Sequence, residues 1–509
     1  MFEQLFSALP HVFALANFLA VVVGVIAGIL VGALPGLSAT MAISVLVPFT
    51  FGMDPLVALG MMAGIYNGAM YGGAIPAVLL RIPGTPAAVA TTLDGYPMAQ
   101  AGKGGYGLQV ALVSSAIGSL ASALALMLLA PPLAKLTLMF GPPEVFWIAI
   151  FGLTSIVFLV GGNVTKGLLS ACFGVLLSLV GADSITGNDR FTWGNLHLLD
   201  GINVVVVLVG LYAMPPAISL LEEMLPEATK SSMRLHTESI WKAIPSMFGF
   251  WKTWVRGSIY GILVGILPGA GGSMAGFLSY NEARSNSKDP DSFGKGNPEG
   301  IAASEVANNA DTAAAMIPAL TLGIPGTSVA AVMLGGMMIH GLQPGPMLFR
   351  EHPDVVYGFM WQFLASGVLL FFLGGSLATN AFAQVLRLPR QLLGPIIMAL
   401  MVVGVFMIHE SMFDVYLMLG FGLIGYAMDR LKFPMAPVVL GLILGEFAEG
   451  NLRLALRMSR NDWSILWSRP ICQIIIVFTV FIIVWPMIKK MLANRKRRGS
   501  DTLATETEK

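Results

Sequence analysis

The chain has 509 residues, 56% of them apolar and only 11% charged, with a mean hydropathy of +0.77. Soluble domains carry about a quarter of their residues as charges, so an ordinary soluble fold is excluded. Lys plus Arg number 29 against 28 Asp plus Glu, a net charge of +1, which excludes a basic nucleic-acid binder and an acidic tail protein.

Ten runs contain no Asp, Glu, Lys or Arg: 4–53, 55–80, 104–134, 145–165, 201–221, 257–281, 312–349, 355–386, 391–409 and 470–488. About 20 helical residues cross a ~30 Å hydrocarbon core, so these runs predict an all-α polytopic membrane protein of about 12 spans plus re-entrant or broken helices. The N-terminus, MFEQLFSALPHVF, has no basic residue ahead of its apolar stretch and no A-x-A-like site after it. The first run is therefore expected to stay as a span.

In chain order, the first run contains GALPGLSAT at 32–40, and the second leads into GGAIPAVLLRIPGTPAA at 72–88. Proline removes a donor and clashes with the preceding turn, so neither segment is regular helix throughout. Residues 183–200 hold three Asp and only Arg190, which suits the outer face; 222–256 carries Lys230, Arg234, Lys242, Lys252 and Arg256, which suits the cytoplasm. The run 257–281 includes GILPGAGGSMAG, and 282–300 after it carries three basic residues. Either the positive-inside rule fails there, or 257–281 re-enters without crossing. A second broken segment, MIPALTLGIPGTS, covers 316–328, and the stretch Lys489 to Arg498 has six basic residues and no acid, placing the C-terminus in the cytoplasm. Cys172 and Cys472 lie in apolar runs and read as buried thiols.

The broken segments repeat. Residues 24–42 align without gaps on 257–275, with 12 of 19 positions identical at an offset of 233; Asn67, Ile75-Pro76-Ala77 and Ile82-Pro83-Gly84-Thr85 recur at Asn309, Ile317-Pro318-Ala319 and Ile324-Pro325-Gly326-Thr327, at an offset of 242. The organisation read from this is a first membrane repeat at 1–225, a charged cytoplasmic connector at 226–256, a second repeat at 257–490 and a basic, then polar, tail at 491–509. Duplicated halves with matching Gly/Pro-broken segments are the pattern of a secondary transporter. A break exposes N–H groups and a positive dipole end on one side, suited to an anion, and bare carbonyls on the other, suited to a cation. The repeats are expected to be inverted, related by a two-fold axis in the membrane plane. A membrane-embedded enzyme is the competing class, but the six His are scattered at 11, 197, 236, 340, 352 and 409. A single-component ion antiporter uses the same architecture and stays open.

The segments LPGLSATMA, IPGTPAAVATTLDGYPMAQAGKGG, LPGAGGSMA, FGKGNPEGIAASEVANNADTAAAMIPALTLGIPGT and HGLQPGPMLF resemble the large membrane subunit of the tripartite tricarboxylate transporters, the TctA family, over about residues 15 to 470. The resemblance implies a bacterial inner-membrane permease that works with a small four-helix membrane subunit and a periplasmic solute-binding receptor. Its implied substrate is a di- or tricarboxylate, and its implied drive is a Na⁺ or H⁺ gradient. The chain has no G-x-x-x-x-G-K-[ST] loop, consistent with the absence of ATP drive. No resident cofactor or metal is implied.

Candidate binding residues follow from the paired breaks. Pro83, Gly84, Thr85 and Pro325, Gly326, Thr327, Ser328 put hydroxyls where new helices start, although Thr85 and Thr327 equally suit N-caps. Pro35, Gly36, Ser38, Thr40 and Pro268, Gly269, Ser273 follow the same logic, against the alternative of a close Gly-rich helix crossing. Glu305, Asn308, Asn309 and Thr312 stand on one face of a helix, with Asp311 off it. A polar stripe in a membrane-grade helix is a functional hypothesis by default; an interfacial helix or a helix–helix contact is the alternative. The acids have no counterpart in the first copy, whereas Asn67 and Asn309 pair, which favours the asparagines as members of a pseudo-symmetric site. Coupling or charge roles fall to Arg81, Glu305, Asn308 and Asp311, with Arg81 also able to pair with Asp94. Neither LPG segment nor the second IPGT segment holds Lys or Arg, so helix N-termini and hydroxyls are expected to attract the substrate, with the four tips brought together.

Overall fold

In the computed structural model the chain is described over residues 2–160, 163–183, 186–222, 240–269, 271–375 and 390–484. The basic run at 489–498, the tail and most of the connector, with Lys230 and Arg234, lie outside these. The described residues are overwhelmingly helical. Their strands are the antiparallel two-residue pair Gly181–Ala182 and Asp189–Arg190.

Proline and glycine cut the apolar runs as their chemistry dictates. The first unit runs α1 (Leu15–Ala33), a break, α2 (Ala39–Leu46), α3 (Pro55–Gly72), α4 (Ala74–Leu80), a second break and a short 3₁₀ turn at Pro86–Val89. It continues through α5 (Gly104–Thr137), α6 (Pro142–Val160), α7 (Val164–Ser178) and α8 (Val204–Glu222). After the connector come α9 (Trp251–Ile266), α10 (Gly271–Asn286), α11 (Pro298–Ala314), α12 (Met316–Leu322) and α13 (Ser328–Ile339), then α14 (Pro353–Leu373), α15 (Arg390–His409), α16 (Met412–Arg430) and α17 (Ala436–Met458). Among the described residues, six helices are long and apolar enough to cross a membrane, and several shorter apolar helices accompany them. The molecule is an all-α, multi-pass membrane protein.

Packing is set by small residues. Gly24, Gly28 and Gly32 of α1 face Met61, Ile65 and Ala69 of α3, while Gly64, Gly68 and Gly72 face back onto α1; a β-carbon at any of the six would lie 2.3–2.6 Å from a backbone oxygen. The steady pairing shows that α1 and α3 run parallel with their backbones in contact, as small-residue stripes allow. Gly257, Gly261 and Gly265 of α9 do the same against α11, where Val306, Ala310 and Ala314 take the place of the second glycine row.

The two halves interlock. Ser115, Ser119 and Ser122 of α5 reach Glu305, Asn309 and the Ala314 N–H of α11, so a first-half helix lies along a second-half helix. Conversely, Ser366 of α14 receives a 2.7 Å bond from the Asn67 amide on α3, and Gln362 donates to the Leu56 carbonyl.

The run 257–281 turns back on itself. It divides into α9 and α10, and a β-carbon on Gly257 would meet Ser279 Oγ at 2.8 Å. Beyond the two ends, Arg256 pairs with Glu282 at 2.8 Å and Thr253 donates to Glu299 at 2.6 Å. The basic stretch 282–300 therefore sits beside the connector, which is the re-entrant alternative. Asp94 anchors that stretch, because its buried carboxylate accepts the N–H groups of Gly294, Gly296 and Asn297 at 2.8–2.9 Å and the Tyr280 hydroxyl at 2.8 Å.

A chamber at four helix starts

The two breaks of each half are built alike. In the first, Arg81 caps α4 with φ 60°, the Ile82 N–H donates to the Pro76 carbonyl, and the Gly84 N–H donates to the Gly73 carbonyl. In the second, Gly323 caps α12 with φ 72°, Ile324 donates to Pro318, and Gly326 donates to Ala315. A left-handed backbone suits glycine and strains arginine by about 1 kcal/mol, so Arg81 occupies a position its sequence copy gives to glycine. Gly84 and Gly326 then press onto the carbonyls of Gly32 and Gly265, where a β-carbon would come within 2.0 and 2.1 Å. This packing brings each IPGT tip against the LPG tip of its own half; in the second half the Gly269 N–H donates directly to the Gly326 carbonyl at 2.7 Å.

Across the halves, the new helices meet. Thr40 Oγ1 at the start of α2 is 3.2 Å from Ser328 Oγ at the start of α13. Gly272 at the start of α10 lies against Ala87 of the 3₁₀ turn. The four starts line one cavity of about 600 Å³. From the first half come Gly36, Ser38, Thr40 and Thr85; from the second come Gly269, Ser273, Thr327, Ser328 and Asp311. The first turns of α2, α10 and α13, each carrying up to about half a positive charge, thus face one space together with the short 3₁₀ turn at Pro86–Val89. Among the described residues no Lys or Arg lines it; the charged lining residues are Asp311 and Asp429.

The expected residues divide clearly. Ser38 caps α2 through the Met41 N–H, and Thr327 caps α13 through the Ala330 N–H at 3.1 Å while sharing a 3.0 Å bond with Tyr66. Thr85 is not a cap: its buried Oγ1 has no hydrogen-bond partner. Pro35, Pro83, Gly84, Pro268, Pro325 and Gly326 back the cavity without lining it. Asn67 and Asn309 also stay out. Asn67 bonds Ser366 and accepts from Thr312, and Asn309 accepts from Ser119, so the paired asparagines join helices. Every residue of α11 from Gly300 to Ala314 is buried, so α11 is no interfacial helix. Glu305 is held by the Thr91 and Ser115 hydroxyls, at 2.5 and 3.0 Å. Asn308 and Asp311 are buried with their side-chain polar atoms unpartnered.

Two placements depart from expectation. Arg81 is exposed, 5.9 Å over the Tyr96 ring, and does not pair with Asp94, whose oxygens are already filled by N–H and O–H donors. Cys172 is exposed on the protein, facing outward from an apolar helix, whereas Cys472 is buried. Glu449 belongs to an ion cluster with Arg190, Arg453 and Asp183. Sequence reasoning missed Tyr66, Tyr212 and the Pro215-Pro216 pair, which also line the cavity. The proline pair inside a charge-free run was the available signal for α8. Tyr66, one residue before Asn67, had none beyond its position.

A helical membrane protein whose broken helices aim their starts into a shared chamber has the architecture of a transport protein. The chain belongs to the tripartite tricarboxylate transporter TctA family, whose model matches residues 18–440. It is 34% identical over 481 residues, 94% of this chain and 95% of the relative, to an uncharacterized 52.8 kDa protein in the TAR-I ttuC' 3' region of Agrobacterium vitis. A protein in the TAR-II ttuC' 3' region of the same organism is 33% identical over 235 residues, 46% of this chain and 97% of that protein. No solved structure matches the chain.

Proposed function

We propose that the chain is the large permease subunit of a receptor-dependent, ion-gradient-driven secondary transporter that imports small di- or tricarboxylates. It works in the bacterial inner membrane with a small four-helix membrane subunit and a periplasmic receptor, and its C-terminus is cytoplasmic. The observation that carries this reading is the convergence of three helix starts and a 3₁₀ turn on a chamber whose described lining holds no Lys or Arg. Backbone N–H groups with the Thr85, Thr40, Ser273 and Ser328 hydroxyls hold the carboxylates, while Ser38 and Thr327 cap the helices that present them. A buried Lys or Arg costs several kcal/mol when the site is empty, and a carrier returns empty in each cycle, so oriented amides serve better. The two halves are inverted repeats, about 12 crossings being made up of whole and broken helices. The matched breaks and the reciprocal packing of α5 on α11 and of α14 on α3 support this.

The test is reconstitution into proteoliposomes with the receptor and small membrane protein encoded beside the gene. Radiolabelled citrate should accumulate only with both partners and an imposed Na⁺ or H⁺ gradient. Accumulation that needs ATP, or none under any gradient, would sink the reading.

A further inference from the structure

We propose that Asp311 and Asn308 of α11, with the α10 backbone at Gly272, form a binding site for a monovalent cation in the chamber wall. Its role as the coupling site rests on the transporter reading above, whereas cation binding itself does not.

The two deep acids of α11 are in opposite states. Glu305 has a hydroxyl donor on each oxygen. Asp311, fully buried, makes no hydrogen bond of good geometry on either oxygen, is approached only by the Gly272 N–H, and opens onto the chamber. Asn308 lies three residues earlier, on the same side of the helix. It too is fully buried, with both amide atoms unpartnered. Gly272 closes over the pair: a β-carbon there would fall 2.8 Å from Asn308 Oδ1. One helical turn thus presents three oxygen acceptors that the described chain leaves unsatisfied.

Charge decides what fits. A buried carboxylate without a partner costs several kcal/mol, and no described Lys, Arg or His forms an ion pair with Asp311. The elements packed around it offer no cation either. From α3 comes Tyr66, whose hydroxyl is shared with Thr327. From α9 and α10 come Gly265 and Gly272, and from α5 the serines bound to Glu305 and Asn309. The charged residues of α9 and α10, Arg256 and Glu282, pair with each other at the other end of the hairpin. An anion is repelled here. Calcium calls for six to eight oxygens, usually from several carboxylates, and the described residues hold no cluster of three His, Cys, Asp or Glu side chains. A single negative charge with hard oxygen donors suits Na⁺ or a proton.

Purified full-length chain in lipid nanodiscs tests this by ²²Na⁺ equilibrium binding and by infrared difference spectra between neutral and acid pH. In the sodium case the wild type binds saturably and Asp311→Asn lowers affinity at least about tenfold, the scale of losing a ligand-shell group. Asn308→Ala weakens binding as well, and Glu305→Gln leaves it unchanged. In the proton case no sodium binds, but the carbonyl band of a buried protonated carboxyl disappears in Asp311→Asn and survives in Glu305→Gln. If neither signal exists in the wild type, or both persist in Asp311→Asn, the site is overturned. Should Asp311→Asn fail to elute as a folded protein, Asn308→Ala decides: an altered sodium affinity or band titration upholds the site, and unchanged values refute it. Cation binding at Asp311 in a chain that moves no citrate would uphold the site while removing the transport reading.

Discussion

The two IPGT threonines match in sequence but not in state, and that difference can be measured. Thr327 caps α13 and shares its hydroxyl with Tyr66, so Thr327→Ala removes a cap and a buried bond. The expected cost is about 1–2 kcal/mol of stability. Thr85 Oγ1 bonds nothing in the chain. Thr85→Ala, which loses one buried methyl and no hydrogen bond, should cost about 0.8 kcal/mol or less while weakening citrate uptake. Thermal unfolding in detergent, read beside uptake by the same two variants, separates a scaffold hydroxyl from one reserved for a ligand. Equal destabilisation by both would contradict the assignment.

At the scale of elements, the sequence pattern located the breaks but left their consequence open. LPG at 267–269 halts α9 because proline and a positive-φ glycine end the helix. Whether the chain then continued across or doubled back depended on contacts 26 to 46 residues away, the Arg256–Glu282 and Thr253–Glu299 bonds. Single cysteines at Lys252 and Lys288, in a chain whose Cys172 and Cys472 are replaced by serine, should therefore react with an impermeant maleimide from the same side of sealed vesicles. Labelling from opposite sides would show that 257–281 crosses. The polar face of α11 was legible as a stripe, yet its partners were not. Ser115, Ser119 and Ser122 stand at i, i+4 and i+7 on α5, and only packing shows that they answer Glu305, Asn309 and the Ala314 N–H.

For the whole molecule, the governing feature is that the halves interlock. Asn67 and Asn309, favoured as site residues because they recur, bind helices of the opposite half. Recurrence marked a pseudo-symmetric contact as readily as a pseudo-symmetric site. The chamber that results has no Lys or Arg among its described lining residues, and Arg81 lies outside it, exposed over Tyr96. Arg81→Gln should reduce citrate uptake by less than about fivefold, the kinetic equivalent of the ~1 kcal/mol of an exposed ionic contact. Complete loss of uptake, with normal insertion and receptor docking, would mean that a fixed cation carries recognition.

Composition alone determined the membrane as solvent, because so few charges over such long apolar runs leave no other medium for this chain. Proline and glycine determined where helices stop, since their limits are local to the backbone. The tertiary structure decided what those stops enclose. Which hydroxyl is spent on a cap, which carboxylate meets donors and which is left bare depend on residues hundreds of positions apart. Glu305 and Asp311 are six residues apart on one helix, and nothing in their sequence separates the acid that Thr91 and Ser115 satisfy from the one that faces the chamber. Long-range packing alone sets that distinction, because a buried charge takes its state from its neighbours in space.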